Sequence, residues 1–402
     1  MEAVRHINDI NETGLKHKKP ICITNINAVT PTGVRENVNV LIKNGKIGKI
    51  SHEPISTEAI FLNGCYNFLI PGFIDFHCDT LESYLEPRPG SFFPIEIAIS
   101  ELDKMITSCG VTTMYHCVAF EDFFIDPQYL RNNDYALRII NGLINLKNQL
   151  RINFKIHIRL EIFNQTAIPI IMELIKKGEV DLISFIDHTP GQGQFRDIDK
   201  FIKQMAEGYG KDLKSIKKLI KEKTKQAKNI NNKSLKKLTR ICRNHKVPVA
   251  SHDDSKKKVE WAHSMGCNIS EFPINLEAAE KAHQLGMYTV MGAPNIVRGG
   301  SQSGNIAARE LIERNYCDIL CSDYSPMSML HAIFQLVNYQ NLDWHEAVNL
   351  VSLNPARAVG LDNITGSIET DKDADLLIVD KNYSVPRIRK VYRKGVEIYS
   401  SV

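Results

Sequence analysis

Seven side chains able to hold a metal ion or move a proton stand at or near the ends of apolar runs in this sequence: His77, Asp79, Glu161, His188, His252, Glu271 and Asp323. The densest grouping closes the run Phe73-Ile74-Asp75-Phe76 with His77-Cys78-Asp79. Side chains alternate faces along a strand, so His77 and Asp79 point one way and Cys78 the other. An imidazole and a carboxylate on one face can share a divalent ion. A hydrogen-bonded core histidine followed by a helix N-cap would read the same, and the pair alone does not separate the two.

Each remaining candidate ends a run of its own. Glu161 lies in IHIRLEIF, His188 in ISFIDHTPGQG, His252 in VPVASHDDS, Glu271 in NISEFPIN and Asp323 in DILCSDYSP. Each also has an ordinary alternative: Glu161 could pair with Arg159, His188 could cap the Thr-Pro turn, and Asp323 could cap a helix. Their convergence on one place is what argues for a site. Mixed nitrogen and oxygen donors suit Zn, Mn or Fe. The set fits two divalent ions roughly 3.5–4 Å apart that share a carboxylate and a water. Glu161 is the expected bridge, with His77 and Asp79 on one ion and His188 and His252 on the other. Asp323 then takes the proton of the attacking water and returns it to the leaving group. Whether Glu271 is a ligand or stands behind the ligands is left open at this point.

A second chemistry accompanies the first. Arg298, Gly299 and Gly300 lie in APNIVRGGS, where glycine N–H groups and a guanidinium would suit anionic oxygens. The plain alternative is a glycine-rich turn. Arg88, in PRPG, and Arg196, after HTPGQGQF, would add positive charge nearby.

Such residues need a scaffold that gathers strand ends. Strand patterns end at Asp79, near Phe120, at Phe163, His188, Asp254, Asn275, Asn295 and Tyr324. Helical patterns lie between them: Ile95 to Ser108, Tyr129 to Leu150, Ile168 to Lys177, Asp197 to Asn244, Lys256 to Met265, Leu276 to Leu285, and Asn305 to Glu313. Eight strands alternating with helices predict an α/β protein with a (β/α)8 TIM-like barrel over residues 71–363. Residues 19–70 and 364–402 carry short β patterns broken by turns, each too short to bury a sheet face alone. They are expected to pair into one small flanking β-domain, after a polar extension over 1–18.

The chain has 402 residues, 43% hydrophobic and 24% charged, an ordinary globular balance. No apolar run reaches membrane-spanning length and the N-terminus lacks an apolar leader, which predicts a cytoplasmic protein without a membrane partner. Nine cysteines without any C-x-x-C pair read as reduced thiols. The net charge of +4 does not call for nucleic acid. The lysine-rich run Lys211 to Lys237, with an apolar stripe of Leu213, Ile216, Leu219 and Ile220, reads as a solvated helix whose start follows strand four and could cover the site. The number of protomers is open, a homo-oligomer included.

The segments HCDTLE, PRPG, DHTPGQ, SHDD, ISEFP, MGAPNIVRGGSQSGN, SDYSP and NPARAVGL occur in one order. From about Pro20 onward that order resembles the PhnM proteins of the carbon–phosphorus lyase pathway, within the amidohydrolase superfamily. The resemblance implies hydrolysis of α-D-ribose 1-methylphosphonate 5-triphosphate to the 5-phosphate and diphosphate. Water would attack the phosphorus next to the ribose, so the partner is a small phosphorylated sugar. Thr80, Gly193 and Gln302 stand where the family usually carries Asn, Arg and His, and His116 where Asp is common. These departures bear on substrate identity more than on the ligand set. The alternative reading is a C–N hydrolase of the same superfamily, a deacetylase or cyclic amidase.

Overall fold

The computed structural model describes residues 19–121, 130–187, 213–214, 216–218, 220–221, 230–252, 254–301, 304–383 and 385–401. Five strands open this chain: β1 (Ile21–Thr30), β2 (Gly33–Lys43), β3 (Lys46–Ser51), β4 (Ile60–Asn63) and β5 (Phe68–Pro71). Eight follow: β6 (Phe73–Cys78), β7 (Val111–Phe120), β8 (Asn153–Glu161), β9 (Leu182–Ile186), β10 (Val249–His252), β11 (Ile269–Glu271), β12 (Tyr288–Gly292) and β13 (Ile319–Cys321). Three close it: β14 (Leu376–Asp380), β15 (Arg387–Arg393) and β16 (Val396–Ser400).

Strands β6 to β13 pair in sequence order, each parallel to the next. The ring closes where the first and last strands meet. The Asp79 N–H donates to the Asp323 carbonyl at 2.8 Å, and the Asp323 N–H donates to the His77 carbonyl at 2.9 Å. Three candidate site residues are therefore the residues that close the barrel. Parallel strands covered on both faces must be apolar on both, and β7, β9, β10 and β11 are buried at every position.

Side chains fill the barrel below its mouth. Ile74, Phe76, Tyr115, Leu182, Ala250, Ile269, Val290, Ile319 and Cys321 form one interior cluster, so the barrel is a packed core with its site at one end. A larger cluster joins the outward strand faces to the helices. The helix Ile95–Ser108 buries Ile95, Ala98, Ile99, Leu102 and Ile106, the spacing of a single stripe. Each isoleucine or leucine among them contributes roughly 1.5–3 kcal/mol by leaving water. The helix Lys256–Met265 starts at Ser255, whose hydroxyl accepts the Lys258 N–H, and stops at Gly266 in the left-handed region at φ 96°.

The two chain ends share the second sheet, in the order β16-β15-β14-β5-β1-β2-β3 with β4 on β1. The chain leaves it for the barrel at Gly72, where a Cβ would meet the Thr112 hydroxyl at 2.3 Å, so only glycine fits. Much of the lysine-rich run lies outside the described residues, Leu219 among them. Ile216 and Ile220 are buried while Leu213 is 53% exposed. The helix Asn232–Asn244 buries Leu235, Leu238, Thr239 and Cys242 and turns Lys233, Lys236, Lys237 and Arg240 to solvent. No helix among the described residues is long and apolar enough to cross a membrane.

Candidate metal centre

His77 stands one residue before the end of β6, His252 ends β10 and Glu271 ends β11, and the three side chains meet inside the barrel. The two oxygens of Glu271 each face one imidazole: His77 Nδ1 lies 3.2 Å from Oε1 and His252 Nδ1 lies 3.2 Å from Oε2. On β8, alternation puts His157, Arg159 and Glu161 on one face. His157 Nε2 meets the Ser184 hydroxyl of β9 at 2.5 Å, and that hydroxyl donates to Glu271 Oε2 at 2.7 Å. Arg159 Nη1 donates to both Asp79 oxygens at 2.7 Å. Glu161, one step nearer the mouth, is 1% exposed.

Asp79 begins the helix Thr80–Leu85 but does not cap it with its side chain. Its carboxylate turns inward, 3.7 Å from His77 Nε2. Asp323 lies just beyond β13 at φ 55°, a left-handed conformation that Asp tolerates better than most residues. Its Oδ2 rests against Gly292, where a Cβ would come within 3.4 Å. His77 thus belongs to several possible ligand groups. One comprises His77, Asp79 and Asp323, another His77, His252 and Glu271, and a third His77, Cys117 and His157, the ligand atoms of each group lying within 4.8 Å of one another. Only the first reaches the mouth: the Asp79 side chain is 23% exposed, whereas Glu271 and His157 are fully buried.

Electrostatics sort these groups. Burial alone would raise the Glu271 carboxyl, yet His77 and the hydrogen bonds from His252 and His77 hold it well below the usual carboxylate range. Burial opposes charge on His77, and the adjoining Glu271 carboxylate outweighs it, so that imidazole is shifted up. Burial keeps His157 neutral, pushed down to about 3. Asp79 is likewise driven up by burial and held down, on balance, by Arg159 and His77. Cys117, its thiol 3.5 Å from His157 Nδ1, is pushed far up by burial and stays protonated.

The structure brings together His77, Asp79, His252, Glu271 and Asp323. His188 and Arg196 lie outside the described residues, as do Gly193 and Gln302. The segment expected as a phosphate-binding loop is instead a helix, Ala293–Arg298, with Pro294 in its first turn and Gly299 as its left-handed cap at φ 81°. The Gly299 N–H bonds the Ile296 carbonyl at 3.2 Å and the Gly300 N–H bonds the Asn295 carbonyl at 2.9 Å, so both glycine donors serve the helix end. Arg298 is exposed, with Nη1 3.3 Å from the Tyr324 hydroxyl. Arg88 is exposed in a tight turn where its carbonyl accepts the Ser91 N–H. His116 pairs with Cys78 across β6 and β7, on the outward side that packs against helices. Three residues escaped the sequence reading: His157, Ser184 and, as a partner of Asp79, Arg159. The signal for the first was present, because His157 and Arg159 stand four and two residues before Glu161.

A divalent ion fits the mouth-side group. His77 Nε2 is buried and has no hydrogen-bond partner. It faces two carboxylates, and nitrogen with oxygen is a donor set that zinc, manganese and iron accept.

Residues 68–399 match the Amidohydrolase family. The chain is 33% identical over 363 residues to the α-D-ribose 1-methylphosphonate 5-triphosphate diphosphatase of Escherichia coli (strain K12), covering 89% of this chain and 95% of that protein. It is 24% identical over 436 residues to an imidazolonepropionase of Thermoplasma volcanium, covering 94% and 98%. Among solved structures, an N-acetylglucosamine-6-phosphate deacetylase from Pasteurella multocida superposes with a TM-score of 0.63 at 11% identity, over 95% of this chain and all of that one. A prolidase from Bifidobacterium longum gives 0.63 at 16% identity, over 95% of each chain. With a barrel whose first and last strands close through His77, Asp79 and Asp323, this chain belongs to the amidohydrolase family of metal-dependent hydrolases.

Proposed function

We propose that this enzyme hydrolyses α-D-ribose 1-methylphosphonate 5-triphosphate to the 5-phosphate and diphosphate. The observation that carries the reading is the unpartnered, buried His77 Nε2 facing Asp79 and Asp323 at the barrel mouth. Support for the substrate comes from the likeness to the Escherichia coli diphosphatase along nearly the whole chain.

His77 and Asp79 would hold one divalent ion, and His188 and His252 a second, with Glu161 between them. When bound, the ions supply an activated water and offset the charge that builds on the phosphate oxygens. Asp323 accepts the proton as water attacks the phosphorus next to the ribose. The bond broken is the anhydride between that phosphorus and the diphosphate, and Asp323 returns the proton to the departing oxygen. Its position against Gly292, tied by its own N–H to the His77 carbonyl, fixes it to the same closure that holds the ligands. Arg298, whose Nη1 lies 3.3 Å from the Tyr324 hydroxyl, would meet the outer phosphates.

One observation favours the C–N hydrolase alternative: the Gly299 and Gly300 donors, expected to cradle phosphate, are taken by helix carbonyls. A product assay separates the readings. Metal-loaded enzyme should release diphosphate from the ribose triphosphate, and no ammonia or carboxylate from amide or cyclic imide substrates. The Asp323→Asn variant should keep its metal and lose kcat by roughly 10²- to 10⁴-fold. Amide turnover without diphosphate release would select the alternative.

A further inference from the structure

We propose that Glu271, Ser184 and His157 form one buried hub that orients metal ligands from two strands, so that both ions depend on a single carboxylate. The proposal rests on the metal reading above and assigns roles to three residues behind the ligands.

Glu271 is fully buried, and three hydrogen-bonding groups converge on its two oxygens, His77 Nδ1 at 3.2 Å, His252 Nδ1 at 3.2 Å and the Ser184 hydroxyl at 2.7 Å, with His157 Nε2 farther off, 3.7 Å from Oε1. An ionised carboxylate only accepts, so all three must donate. That requirement fixes the remaining protons in sequence. Ser184 gives its hydrogen to Glu271, so its oxygen accepts from His157 Nε2–H. His157 then has a bare Nδ1, and the Cys117 thiol 3.5 Å away donates to it. The network is satisfied by one arrangement of hydrogens, from Cys117 on β7 to Glu271 on β11.

The consequence lies on the far side of each ring. With the proton on Nδ1, the lone pair of His77 is on Nε2, the unpartnered nitrogen that looks toward Asp79 and Asp323. The same tautomer in His252 leaves its Nε2 as the ligand atom. His77 comes from the first barrel strand and His252 from the fifth, so one carboxylate sets the rings assigned to different ions. Stacking of the two imidazoles, 5.2 Å between centroids and 23° between planes, keeps their orientations in step.

The competing arrangement places an ion between the two Nδ1 atoms and Glu271. It would leave His77 Nε2 buried without a partner. It would also enclose the ion among residues that are at most 5% exposed, shut off from water and substrate.

The test uses the full chain as wild type, Ser184→Ala and Glu271→Gln. Metal-free proteins are titrated with Zn²⁺ against a chromophoric chelator, zinc stoichiometry is measured at saturation, and visible spectra are recorded with Co²⁺. Thermal melts confirm folding. Outer-shell partners of ligating histidines typically affect metal affinity by about 10–100-fold. Both variants should therefore bind two zinc ions at saturation, each weakened about 10–100-fold, with the Co²⁺ ligand-field pattern retained. A Glu271→Gln protein that saturates with one ion, or that loses the pattern, would make Glu271 a ligand and overturn the proposal. Wild-type affinity in Ser184→Ala would overturn it too, even if Glu271→Gln does not fold. Wild-type protein that takes up no zinc would remove the metal reading itself, whereas unchanged variants beside a two-zinc wild type would remove only the hub.

Discussion

Arg159 carries the sharpest consequence at the level of single residues. It is 3% exposed and its Nη1 serves both oxygens of Asp79. Removing one partner of such a pair leaves a desolvated charge, which costs about 3–5 kcal/mol when fully buried. Asp79 retains some contact with water, so metal-free Arg159→Met should lose about 3 kcal/mol in urea unfolding, near the low end of that range. Saturating Zn²⁺ or Mn²⁺ should narrow the deficit, because a cation on Asp79 replaces the lost guanidinium and ligand binding stabilises the folded state. An equal deficit with and without metal would mean that Asp79 is not a ligand. The convergence of His77 with Asp79 was legible because it needs only the two-residue repeat of a strand. The Arg159 pairing was not, since it depends on the stagger between β6 and β8 around the ring. Sequence proximity offered Glu161 as its partner, and only as the alternative to a metal-bridging role for Glu161.

Among elements, two helices were legible to their ends: Ile95–Ser108 and Lys256–Met265 fall where the helical patterns of the sequence place them. The segment after β12 was misread because the same residues serve two purposes. A proline early and a glycine at the end mark a short helix as well as a phosphate loop. Its outcome is testable: Gly299→Ala forces a side chain into a left-handed cap at φ 81°. That should cost about 1–2 kcal/mol in chemical denaturation and leave KM for the triphosphate unchanged. A raised KM with unchanged stability would return Gly299 to the substrate.

For the whole molecule, alternation of strands and helices was enough to predict a barrel, and the β-rich ends were enough to predict a second sheet. Their order was not, because β5 lies between β14 and β1, joining the last part of the chain to the first. That sheet delivers the chain through Gly72 into β6, the strand that carries His77. The proposed chemistry requires a cation held at the mouth, where the first and last barrel strands close. Anomalous diffraction at the zinc edge, from crystals of the zinc-loaded full chain, tests this directly. A peak about 2.0–2.1 Å from His77 Nε2, with Asp79 in contact, is the predicted result. A peak between the two imidazole Nδ1 atoms and Glu271, or no peak inside the barrel, would contradict it.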